Sequence, residues 1–118
     1  MALLPRTVYQ MSVHGALIVG SQAKKLAGDD VDTDSSDWDV LVPYDRWQVI
    51  ALMIPETATP NKFGGWRFIL DKGEEIDVWP GDVSTYLREC KTKHGGQVYA
   101  VDYIHNLVYS SRVQDLSQ

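Results

Sequence analysis

Ala16-Leu17-Ile18-Val19 is a continuous apolar run that stops at Gly20-Ser21, the pattern of a buried strand entering a tight turn. Before it, Pro5 to His14 suits a short helix with proline near its first turn. After it, Ser21 is placed to cap a helix over Gln22 to Leu26, which Gly28 would stop. Asp29 to Ser36 is rich in Asp and Ser and predicts an exposed loop. Asp37 to Val42 reads as a strand ended by Pro43. Tyr44 to Ile54 carries Trp47, Ile50, Ala51 and Ile54 at helical spacing and should be a helix ended by Pro55.

Thr57 to Lys62, with Pro60, reads as a loop. Trp66 to Leu70 and Glu75 to Trp79 flank Asp71-Lys72-Gly73-Glu74, a hairpin signal. Pro80-Gly81 ends the second of these strands, and Asp82 can cap a helix from Val83 to Lys91. Val98 to Tyr103 and Leu107 to Val113 read as a second hairpin turning at His105-Asn106, with a C-terminal helix as the competing reading. The order predicts one α/β (α+β) domain over residues 1–118, a mixed sheet with flanking helices.

Composition narrows the function classes. With 118 residues, 44% hydrophobic and 23% charged, the chain has room for a single core. No apolar run approaches the roughly 20 residues that span a bilayer. Met1 to Pro5 is too short and too quickly interrupted for a signal peptide, and the single cysteine, Cys90, forms no internal disulfide. The expectation is a cytoplasmic protein. The net charge of −5 is concentrated: six of the sixteen acids lie between Asp29 and Asp39, and the other ten nearly balance eleven Lys and Arg. No basic run or aromatic-basic stripe marks a long nucleic-acid partner, although a nucleotide or strand end is compatible.

The chemistry lies in Asp37-Trp38-Asp39. Residues i and i+2 of a strand share a face, so Asp37 and Asp39 point together. Two adjacent carboxylates repel each other, and a hard divalent cation such as Mg²⁺ or Mn²⁺ relieves that repulsion. A solvated edge strand would also carry such a pair. Gly20-Ser21, between a buried strand and a helix, offers backbone N–H groups to a phosphate, or is an ordinary turn. Asp77 interrupts the apolar strand around it. If that strand lies beside Asp37 to Val42, Asp77 joins the other two carboxylates; otherwise it caps a backbone group.

Gly20-Ser21, Asp37-Trp38-Asp39-Val40 and Ile76-Asp77-Val78 together resemble the DNA polymerase beta-like nucleotidyltransferase superfamily. Phe63-Gly64-Gly65-Trp66-Arg67-Phe68, leading through a hairpin to Ile76-Asp77-Val78-Trp79, also looks like small members of that group. The resemblance covers roughly Leu17 to Trp79. It implies a nucleotidyltransferase-like core in which Asp37, Asp39 and Asp77 are catalytic metal ligands for Mg²⁺ or Mn²⁺. It further implies a nucleoside triphosphate as substrate, with Gly20, Ser21 and Lys24 holding its phosphates and Lys25 and Arg67 as further contacts. The acceptor would be a hydroxyl compound.

The chain departs from the group in two ways. Fifteen residues separate Ser21 from Asp37, more than is usual there, and about 40 follow Trp79, too few for the helical domain of larger members. A helical partner protein or a homo-oligomer would complete the site. Two other classes compete. One is a catalytically inactive member of the fold, acting as a partner-binding or regulatory subunit. The other is a calcium module on Asp30-Val31-Asp32-Thr33-Asp34, although Ser35 and Leu41 stand where such a loop needs Gly and Glu. His14, His94 and His105 show no zinc spacing with each other or with Cys90. Trp79, on the face of Asp77, is a core residue or a wall of a ligand site.

Overall fold

The computed structural model describes residues 4–28 and 37–111. The acidic segment from Asp29 to Ser36, with the calcium-loop reading placed on it, lies outside the described residues, as do 112–118. The described residues form a mixed α/β fold of four helices and one seven-stranded sheet. In chain order they are α1 (Arg6–Val13), β1 (Leu17–Val19), α2 (Gly20–Leu26), β2 (Trp38–Val42), α3 (Trp47–Ala51), β3 (Thr59–Pro60), β4 (Trp66–Ile69), β5 (Glu75–Pro80), α4 (Val83–His94), β6 (Tyr99–Asp102) and β7 (Leu107–Ser110). Spatially the strands run β3-β4-β5-β2-β1-β6-β7. Only β2 and β5 pair in parallel; every other neighbouring pair is antiparallel.

Alternation along the strands sorts side chains into two layers. On one face Ile18, Val40, Val42, Ile76 and Val78 meet Val8 and Met11 of α1, Ala23 of α2 and Ile50 of α3. On the other, Val19, Leu41, Trp79 and Ala100 meet Leu87 of α4. Val40, Leu41 and Val42 are all buried because β2 is covered on both faces, which is why it reads as an unbroken apolar run. No described helix is long and apolar enough to cross a membrane.

Most expected elements are present: α1, β1, β2, the β4–β5 hairpin, α4 with Asp82 accepting from the Thr85 N–H at 3.0 Å, and the β6–β7 hairpin. Four details differ. Ser21 does not cap α2: Val19 is the N-cap residue, no side-chain cap bond forms, and Ser21 lies exposed in the first turn. The helix expected over Tyr44 to Ile54 is a 3₁₀ turn, Tyr44–Arg46, and then the short α3, because Pro43 fixes the entry and Ile50 alone is buried among α3 residues. The Thr57 to Lys62 loop contains the edge strand β3, where Pro60 is tolerated. Finally, α4 runs on to His94 and ends at Gly95.

Candidate functional site

The parallel pairing of β2 with β5 aligns Trp38 with Ile76, Asp39 with Asp77 and Val40 with Val78. Asp39 and Asp77 therefore share a rung and a face, about 4.8 Å apart at the backbone. That rung crosses the whole sheet as Thr59, Arg67, Asp77, Asp39, Val19, Ala100 and Tyr109. Asp37 immediately precedes β2 on the same side.

Arg67, opposite Asp77 on β4, reaches into the acids. Its Nη1 donates to Asp37 Oδ2 at 2.9 Å and to Asp77 Oδ2 at 2.5 Å, and its Nη2 donates to Glu75 Oε2 at 2.8 Å. Two of the expected carboxylates thus converge on one nitrogen. The other oxygen of Asp77 accepts from Asn61 Nδ2 at 3.2 Å. Asn61 also ties down its own loop, its Oδ1 accepting from the N–H groups of Phe63 at 3.0 Å and Gly65 at 2.8 Å. Asp77 is buried, with 7% of its side chain exposed, against 32% for Asp37.

Asp39 is treated differently by its surroundings. Burial, then the Asp77 and Asp37 charges, push its carboxyl up from 3.8 to about 7, with Arg67 and Lys62 pulling the other way. Glu75, at the exposed edge, is also held up, first by its hydrogen bond with Asp37 and then by the Asp37 charge. Four acids thus crowd one guanidinium, and Asp39 is the least compensated.

Gly20 has φ +75°, and a Cβ on it would collide with Asp39 Oδ2. The missing side chain lets the Asp39 carboxylate lie against the backbone where α2 begins. The glycine singled out as a phosphate cradle is thus packed against a carboxylate. Ser21 follows it, exposed, and Lys24 lies half-buried in the last turn of α2. The carboxylates' ion pairs run to Arg67 rather than to Lys24. No family model, curated protein or solved structure matches the chain.

Sequence reasoning missed Asn61 and Glu75. An Asn four residues before the second glycine of Gly64-Gly65 is a turn signal that could have marked Asn61 as a loop anchor. The alternation Glu75-x-Asp77 repeats the spacing of Asp37-x-Asp39 and was available as a second carboxylate pair. Among the described residues no three His, Cys, Asp or Glu side chains are grouped to hold a metal ion as they stand. The donor set nevertheless suits one, being all oxygen, with Asp39 short of a counter-charge.

Proposed function

We propose that the chain is a metal-dependent nucleotidyltransferase that moves a nucleoside monophosphate from a nucleoside triphosphate to a hydroxyl acceptor. The observation that carries this reading is the in-register placement of Asp39 and Asp77 on adjacent parallel strands, with Asp37 joined to Asp77 through Arg67. Asp37, Asp39 and Asp77 would hold Mg²⁺ or Mn²⁺, which when bound supplies charge stabilisation to the transferring phosphoryl group. Asn61 fixes one oxygen of Asp77 and so orients the carboxylate. Arg67 balances Asp37 and Asp77 and must turn outward for a cation to take the same oxygens. Once turned, its guanidinium is a phosphate ligand of the right charge and geometry. Gly20 keeps the backbone close to Asp39, and Ser21 and Lys24 of the same helix would contact the phosphates.

The same arginine favours a second reading. If Arg67 is the permanent counter-ion, the cluster is an ion-pair network in a non-catalytic subunit of this fold type. Incubation with each nucleoside triphosphate, Mg²⁺ or Mn²⁺ and a panel of hydroxyl acceptors, read by mass spectrometry, separates the two. Nucleotidyl transfer lost in Asp37→Asn and Asp77→Asn supports the enzyme. Failure of Mn²⁺ to bind the folded protein, measured calorimetrically, sinks it.

A further inference from the structure

Beside the carboxylates, at the carboxyl ends of β2 and β5, lies a groove of about 420 Å³. Leu41 forms part of its floor; Phe63, Trp79 and Tyr86 form an aromatic wall, with Tyr44 at the rim. Phe63 lies over Trp79 with ring centroids 4.6 Å apart and planes at 31°, and Tyr86 continues the wall 6.2 Å from Trp79. Phe63 is 43% exposed and Tyr44 70%, so aromatic surface faces the groove and solvent rather than the core. Asp82, Glu89 and Lys93 on the α4 side add both acidic and basic groups to the lining.

The wall is held in place. Asn61 pins the loop that carries Phe63, and a Cβ on Gly65 would strike the β5 backbone at Val78 and Trp79, so the loop lies directly on the strand. Trp79 is two residues beyond Asp77 on the same face, about 6.6 Å along the strand. That is the scale of one sugar between a base and its hydroxyls.

We infer that this groove binds a nucleobase, stacked on the exposed face of Phe63, which Trp79 backs from beneath, with the attached sugar directed at the Asp37, Asp39 and Asp77 cluster. An exposed aromatic ring holds any base by its π-face, and mixed charges at the rim suit its donor and acceptor edge. A volume near the lower end of ligand sites fits one nucleoside rather than a strand. The placement of the sugar rests on the transferase reading; the stacking does not. The base belongs either to the triphosphate or to a nucleoside acceptor, two sources of one chemistry.

The test is saturation-transfer NMR and titration of the metal-free protein with adenosine, guanosine, cytidine and uridine. At least one nucleoside should bind, with its base protons closest to the protein. Phe63→Ala removes an exposed ring, and Tyr44→Ala provides a second variant. Phe63→Ala should weaken binding roughly 5- to 100-fold, and Lys72→Ala, in the exposed β4–β5 turn outside the groove, should leave it within twofold. A triphosphate that displaces the nucleoside with the same Phe63 dependence identifies the donor's base; simultaneous binding of both identifies the acceptor. Absence of saturable binding by all four nucleosides, or unchanged affinity in folded Phe63→Ala and Tyr44→Ala, overturns the inference. Binding that persists in a protein without transferase activity removes the transferase reading alone.

Discussion

Replacing Asp39 with Asn should stabilise the metal-free protein at pH 8 and leave its stability nearly unchanged at pH 4. In the folded chain the Asp39 carboxyl titrates at about 7 rather than 3.8, through burial first and the Asp77 and Asp37 charges second. A raised folded pKa on an acid means that the native state holds a proton which the unfolded chain has already released. Stability is therefore fully present below about pH 3.8 and declines as pH rises through about 7. The roughly three-unit gap corresponds to about 4 kcal/mol at most. Asn keeps the shape and has no charge to desolvate, so it escapes this cost. Urea unfolding of both proteins in chelator at pH 4 and pH 8 measures the difference directly. The expected gain is on the order of 2–4 kcal/mol at pH 8 and under about 0.5 kcal/mol at pH 4. Added Mn²⁺ should reverse the order at pH 8 by stabilising only the wild type. Equal differences at the two pH values would show that the Asp39 carboxylate is well solvated and that the electrostatic account of the cluster is wrong.

Removing the guanidinium in Arg67→Ala should destabilise the metal-free fold by about 1–2 kcal/mol, since Asp37 and Glu75 are partly exposed and only Asp77 is buried, while raising Mn²⁺ affinity in calorimetry; lower affinity would mean that Arg67 orients the ligands rather than competing with the ion. Gly20→Ala combines a positive φ with a collision against Asp39. It should cost at least 1 kcal/mol and displace that carboxylate, and heat-denaturation and Mn²⁺-binding measurements should both register it. Asp77→Asn should lower turnover by orders of magnitude while changing nucleotide affinity modestly, the pattern of an interaction made chiefly in the transition state; wild-type turnover in this variant would make Asp77 structural.

How much was readable beforehand follows from where the information lies. The strand pattern around Asp37-Trp38-Asp39 and the hairpin to Asp77 are local, carried by period-two alternation and by turn residues such as Gly73, which has φ +88°. The parallel register that sets Asp39 against Asp77 is a tertiary fact; alternation shows only that each carboxylate interrupts an apolar strand. Arg67 was legible as a cation near the site, but its partners depend on β4 lying on the far side of β5. Likewise β3 is two residues long and takes its strand character from pairing with β4, which leaves almost no periodic signal. Capping at α2 misled because Gly20 begins the helix and so moves Ser21 inside it.

The sheet's one parallel pairing also bears on the order in which the chain comes together. Hairpins such as β4–β5 and β6–β7 close over short loops and are expected to form early. Joining β2 to β5 requires the whole segment between Val42 and Glu75 to be looped out first, an entropic cost incurred before any contact is gained. At the middle of that late seam two like charges, Asp39 and Asp77, must be brought side by side. The cluster that gives the sheet its chemistry is therefore a point of local conflict in the folding landscape. Arg67, delivered by the β4–β5 hairpin, arrives with one of the two acids already beside it. The cation that assembles the seam is thus carried into it by the chain itself.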